Sequence, residues 1–331
     1  MTVPARFRAF RIHSVDRVHR AGIEDVPLDE LSPGELVIRT AYSSVNYKDA
    51  LAGTGEGRIL KRFPLVGGID VAGHVVASTD ARFREGDAVL CAGAGLSETR
   101  DGGYAEYARL DAATAVPLPE GLDLREAMIL GTAGFTAGLA LLRMQENHQA
   151  PAMGPVAVTG ATGGVGMLAI DILARAGYEV HAVTGKADRA EFLQSLGARK
   201  VVARAELPAG TRPLENAVWA GAIDTVGGEM LAALTRSTMP YGNIAVCGLA
   251  GGHGLSTTVM PMILRGVSLL GVATTSPPHA QRLEVWKRLG GSWKPAHLDA
   301  ICTRTVGLDE LPGVFPAMLA GGSFGRTLVR F

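Results

Sequence analysis

The hydrophobic rhythm of the chain changes twice, and each change marks a domain. In the first third, short alternating runs predict strands at 36–41, 70–77, 87–90 and 104–108, with a first strand at 9–12. Pro33-Gly34, Gly86-Asp87 and Gly102-Gly103 supply turns between them. Short strands broken by turn signals predict a small, partly closed barrel. Asp123 is then placed to cap a helix, and a second helical stretch runs to about Met144, before Pro151 and Pro155 interrupt.

From Val156 strand and helix alternate. Strands are predicted at 156–159, 179–183, 200–202, 222–224, 243–247 and 268–272, and helices at 165–176, 187–196 and 228–236. Such alternation buries strands on both faces of a parallel sheet, and six strands predict a doubly wound α/β fold. After Thr275 a helix at 280–289 precedes a closing strand at 326–331. That strand is expected to return to the N-terminal domain, because the parallel sheet is already complete. The expected division is a barrel-like domain, 1–122 completed by 273–331, and a doubly wound domain, 123–272.

Composition narrows the partners. A chain of 331 residues with 47% hydrophobic content suits two well-filled cores. Lys plus Arg (32) balances Asp plus Glu (32), so no basic footprint for nucleic acid or anionic lipid is expected. The N-terminal arginines (Arg6, Arg8, Arg11, Arg17, Arg20) lack the apolar core of a secretory signal. The longest apolar stretch, 128–142, contains glycine and falls short of the roughly 20 residues that span a bilayer. Cys91, Cys247 and Cys302 are odd in number and scattered, which predicts buried free thiols and a reducing compartment. A soluble cytoplasmic protein is expected.

The chemistry begins at Gly160-Ala161-Thr162-Gly163-Gly164-Val165-Gly166. This run follows a predicted strand and opens a helix, the setting in which glycines let backbone N–H groups approach a pyrophosphate. The glycine spacing departs from G-x-G-x-x-G. The second strand ends Val183-Thr184-Gly185-Lys186, with no acid for a ribose 2′-hydroxyl and a cation where a 2′-phosphate would lie. Arg189 and Arg204 are placed to add to it, which predicts NADP(H) rather than NAD.

Nearly the whole chain resembles the bacterial NADPH-dependent acryloyl-CoA reductases, in the zinc-free, quinone-oxidoreductase-like branch of the medium-chain dehydrogenase/reductase superfamily. The landmarks are Ser44-Val45-Asn46-Tyr47-Lys48-Asp49, Gly68-Ile69-Asp70, Gly131-Thr132-Ala133-Gly134, the glycine run at 160–166, Ile223-Asp224-Thr225-Val226-Gly227, Cys247-Gly248-Leu249 and Gly325-Arg326-Thr327-Leu328-Val329. The resemblance implies a six-stranded Rossmann sheet plus a GroES-like catalytic barrel. Zinc-dependent relatives carry metal ligands where this chain has Asn46, Ile69-Asp70 and Thr132, so no metal is expected.

Carried over residue by residue, the resemblance implies Asn46, Tyr47 and Asp70 as catalytic candidates. Asn46 would orient substrate, Tyr47 would contact the nicotinamide half and donate a hydrogen bond or proton, and Asp70 would transfer a proton or position Asn46. Lys48 and Asp49 stand as a solvated or structural pair, and a proton donor is left unassigned. For the cofactor it implies Thr162, Gly163, Gly164 and Val165 at the pyrophosphate, and Thr184, Gly185, Lys186 and Arg204 around the 2′-phosphate. Leu249, Ile263 and Thr274 would lie near the nicotinamide. The implied reaction is reduction of the C=C bond of acryloyl-CoA or another short enoyl-CoA. The alternatives are a quinone or enone reductase and a non-catalytic NADPH-binding module. A homodimer pairing the sixth strands is implied by the superfamily.

Overall fold

The computed structural model describes residues 3–16, 18–207, 210 and 212–331; Arg17 lies outside them. The chain divides into two compact units. One runs to Thr132 and takes back Thr274–Leu283 and Leu298–Phe331; the other comprises Ala133–Ala273 and Glu284–His297.

In the second unit six parallel strands form one sheet: β1 (Val156–Thr159), β2 (Val180–Thr184), β3 (Ala198–Ala203), β4 (Trp219–Asp224), β5 (Thr238–Val246) and β6 (Ser268–Gly271). Their spatial order is 3-2-1-4-5-6, the doubly wound order that reverses between β1 and β4. The helix Gly164–Arg175 buries Met167, Leu168, Ile170, Ile172 and Leu173. A helix apolar nearly all round its middle turns is one that sits in a core rather than on a surface. The expected helix at 187–196 opens as a 3-10 turn, Ala187–Arg189, and becomes α-helical only over Ala190–Ser195.

The first unit holds a three-stranded sheet, in which Phe7–Val15 pairs with both Val18–Val26 and Leu65–Val66. A larger sheet orders Cys302–Val306, Arg326–Arg330, Leu36–Val45, Asp70–Ser78, Ala88–Ala92 and Val116–Pro117. The bridge Ala9–Ala105 ties the first sheet to the loop ahead of Tyr107–Leu110, which pairs with the second. The expected return of the last strand is met: Thr327 faces Val45 and Arg330 faces Tyr42. Leu36–Val45 is thus held by Asp70–Ser78 on one side and by Tyr107–Leu110 and Arg326–Arg330 on the other.

Three expectations change. The unit boundary falls after Thr132 rather than at 122, and 284–297 joins the second unit, where Trp286 stacks on Phe135 at 6.0 Å between ring centroids. The apolar stretch at 128–142 lies in a longer helix, Leu124–Glu146, of 23 residues and with enough apolar length to cross a bilayer. Its apolar 18-residue window is 89% buried and the helix is broken at Gly131, as a core helix would be. Finally, Cys91 alone of the three thiols is buried; Cys247 and Cys302 are half-buried.

Candidate functional site

The glycine turn follows β1 at its carboxyl end, next to that of β4, where the strand order reverses and open α/β sheets bind their ligands. Thr159 Oγ1 donates to Asp224 Oδ1 at 2.6 Å, and Thr225 returns bonds to Thr159 through its N–H and its hydroxyl. Burial raises the Asp224 carboxyl above its ordinary range, while bonds from Thr159 and from the Gly227 N–H oppose that shift. Gly160 sits at φ +59°, and a Cβ there would come within 2.1 Å of Thr225 Oγ1. The residues expected at the pyrophosphate come next in the chain: Thr162 is buried, and Gly163 caps the helix that Gly164 and Val165 begin.

The expected 2′-phosphate residues also come together. Thr184 pairs with Ala203 in the β2–β3 ladder, which sets Gly185 beside Arg204, with Lys186 next in the chain. A Cβ on Gly185 would lie 3.1 Å from the Arg204 guanidinium. Thr184 Oγ1 accepts the Lys186 N–H at 3.0 Å and fixes the turn between them. Arg189 turns instead to Asp188, at 3.1 Å. Leu249 is exposed beside Gly227 just past the end of β5, and Ile263 is exposed on the helix Met260–Arg265. Thr274 falls in the first unit, near Gly93.

The first unit holds a buried cluster of charged and polar groups. Asp70, fully buried, accepts from Ser44 Oγ (2.6 Å), Asn46 Nδ2 (2.7 Å), Thr132 Oγ1 (2.6 Å) and the Thr132 N–H. These donors fill the capacity of a carboxylate. Arg326, only 3% exposed, donates from Nε to the Ile129 carbonyl and from Nη1 to Val45 O and Asn46 Oδ1. Its Nη2 donates to Ser44 Oγ at 2.7 Å and stands 3.9 Å from Asp70. The Ser44 hydroxyl therefore relays the cation to the carboxylate.

Asn46 begins the helix Tyr47–Thr54, and Asp49 accepts its N–H at 2.9 Å, half of a capping box. The Asn46 side chain turns inward instead, giving its second amide hydrogen to Asp49 at 3.2 Å. Asp49 also accepts the Ile69 N–H. Burial, and next the nearby Asp70, push the Asp49 carboxyl up to about 7. The expected Lys48–Asp49 pairing is corrected: Lys48 reaches Glu98 at 2.5 Å, while Asp49 is buried. Tyr47, by contrast, is 51% exposed on the first turn. Asn46, Asp70 and Thr132 thus converge, yet they do not fit a zinc ion. Asp70 is saturated, Ile69 has no donor atom, and no three His, Cys, Asp or Glu among the described residues gather as ligands.

Sequence reasoning does not pick out Asp49, Arg326, Ser44 or Thr132 as site residues. The Asn46-x-x-Asp49 spacing is a capping signature and is the available signal for Asp49. Arg326 has no local signal, since its partner Asn46 lies 280 residues earlier.

A doubly wound sheet together with a barrel-type unit carrying this polar cluster defines the class of medium-chain dehydrogenases/reductases. The family described as zinc-binding dehydrogenase matches residues 164–289, and the alcohol dehydrogenase GroES-like domain matches 32–120. The chain is 46% identical over 312 residues to the acrylyl-CoA reductase AcuI of Ruegeria pomeroyi, covering 94% of each. The yhdH oxidoreductase of Salmonella enterica, solved in complex with NADP, superposes with a TM-score of 0.94 at 43% identity, covering 98% of this chain and 99% of that one. Bacillus subtilis yhfP, solved with NAD bound, gives 0.95 at 42%, covering 99% and 100%. The chain belongs to the zinc-free, quinone-oxidoreductase-like branch of this superfamily, with AcuI, yhdH and yhfP.

Proposed function

We propose that the protein reduces the C=C bond of acryloyl-CoA, or a closely similar short enoyl-CoA, with NADPH. The observation that carries this reading is the 46% identity to an acrylyl-CoA reductase along 94% of both chains. NADPH is favoured over NADH by Lys186 and Arg204 beside Gly185 and by the likeness to an NADP-bound relative. Thr162, Gly163, Gly164 and Val165 would hold the pyrophosphate, at a helix N-terminus that carries about half a positive charge. Leu249, Ile263, Thr274 and Tyr47 are the residues that would meet the nicotinamide half of bound NADPH.

When bound, NADPH would supply the hydride that adds to the β-carbon and leaves an enolate. Donors aimed at the thioester oxygen stabilise that charge, and a proton then adds at the α-carbon. Tyr47, exposed and bearing a hydroxyl, is the residue best able to donate. Asn46, with both amide hydrogens given to Asp70 and Asp49, acts as a fixed amide dipole and orients the substrate through the lone pair left on its Oδ1. Asp70 holds Asn46 in place and acts through it, because its own oxygens are committed.

The test is NADPH oxidation with acryloyl-CoA, crotonyl-CoA and a quinone at fixed NADPH. The highest kcat/KM is expected with acryloyl-CoA; turnover of the quinone alone would overturn the reading. Tight NADPH binding without oxidation by any acceptor would mark a non-catalytic module instead. The proposed assembly is a homodimer through the edge strand β6, since the preceding helix segment exposes Val259 and Leu264. Light scattering in solution checks it. A reducing, cytoplasmic location goes with three free thiols.

A further inference from the structure

The two carboxylates and one guanidinium of the first unit are more than a packing feature. A buried cation must be paired or hydrogen-bonded to persist, and Arg326 meets that need with its whole fork. Two of its bonds end on backbone carbonyls, Val45 O and Ile129 O, which anchor it to the strand ahead of Asn46 and to the helix ahead of Gly131. The other two end on side chains, Asn46 Oδ1 and Ser44 Oγ. The amide of Asn46 is consequently gripped at both ends: its oxygen by Arg326, its nitrogen by Asp70 and Asp49. That arrangement also fixes which end is oxygen and which is nitrogen, since Arg326 only donates and the carboxylates accept.

We propose that Arg326 is a positioning residue for the reduction, setting the orientation of the Asn46 amide and coupling it to Asp70 through the Ser44 hydroxyl. The proposal rests on the reading of Asn46 as a residue that meets substrate. A lysine at 326 keeps the charge but has one nitrogen and no fork, so it cannot serve Asn46, Ser44, Val45 and Ile129 together.

The experiment uses the full chain with Arg326→Lys and Arg326→Gln. Three quantities are measured: NADPH affinity, kcat and KM with the acceptor the wild type reduces best, and exchange of the Asn46 side-chain amide hydrogens by NMR without ligand. NADPH affinity is expected to stay as in the wild type. The expected fall in kcat is about 10- to 100-fold, as for a catalytic group moved from its productive place. Asn46 amide exchange is expected to quicken in both variants. Wild-type exchange, or a raised KM with kcat intact, would overturn the proposal. Should both variants fail to fold, Ser44→Ala breaks the relay while leaving Arg326 anchored, and unchanged kcat and exchange there would likewise overturn it. The exchange arm needs no substrate, so it stands or falls independently of the acryloyl-CoA reading.

Discussion

Replacing Gly131 with alanine tests the packing of the polar cluster most directly. Gly131 interrupts the helix Leu124–Glu146 at φ +46° and ψ −149°, backbone angles close to a region that is essentially glycine's alone. Holding an alanine there costs about 1–3 kcal/mol. The new Cβ would also stand 2.5 Å from Asp70 Oδ2, 2.7 Å from Ser44 Oγ and 3.0 Å from an Arg326 nitrogen. None of these is the loose end of a flexible side chain, because each is tied by the bonds described above, so overpacking adds about 1–3 kcal/mol. The sum is about 2–6 kcal/mol, which at about 2–4 °C per kcal/mol lowers the melting temperature by roughly 5–20 °C. Scanning calorimetry reads that shift, and kcat should fall with it while NADPH affinity holds. A melting temperature and turnover equal to the wild type's would refute the geometry of the cluster.

Three further outcomes follow from the same geometry. Asp70→Asn strips Arg326 of its nearest carboxylate and is expected to cost about 3 kcal/mol, read as a lower urea midpoint; a midpoint equal to the wild type's would count against the pairing. Arg204→Ala should weaken NADPH binding about 10- to 100-fold, the loss of a charge-assisted bond, with NADH binding unchanged; equal losses for both cofactors would count against Arg204 at the 2′-phosphate. Asp49 is pushed up to about 7, against an unfolded value near 4, so between those values the folded chain keeps a proton the unfolded chain has lost. Its contribution to stability is full below about pH 4 and fades as pH rises through about 7; Asp49→Asn should flatten that part of the urea-midpoint profile, and an unchanged slope would show that Asp49 is not the group responsible.

The glycine turn of the second unit and the polar cluster of the first differ in how far the sequence alone reveals them, and the difference is one of range. The glycine turn is local: strand, turn and helix follow one another without interruption, and a glycine there has a steric reason, as Gly160 against Thr225 illustrates. The basic residues after β2 are nearly as legible, because β2 and β3 are neighbours in sequence and in the sheet. The cluster in the first unit is assembled from Ser44 to Asp49, Asp70, Gly131-Thr132 and Arg326, stretches joined only by sheet pairing and one broken helix. Asn46 and Asp70 are visible through a family likeness, but their partner Arg326 is visible only once Arg326–Arg330 is seen to lie against Leu36–Val45. The shift of the unit boundary has the same origin, since Thr132 is bound to Asp70 and belongs with it.

The cluster also bears on why polar groups stand there at all. A buried ion pair is often no better for stability than well-packed apolar residues of the same volume. The first unit has ample apolar core of its own, in which Phe10 packs edge to face against both Tyr104 and Phe315. Stability therefore gives no reason to bury two carboxylates and a guanidinium beside it. Position does: all three groups hydrogen-bond the amide of Asn46, and Asp49 also holds the first turn that presents the exposed Tyr47. A rigid amide next in the chain to a solvent-facing phenol is what the roles proposed for Asn46 and Tyr47 require.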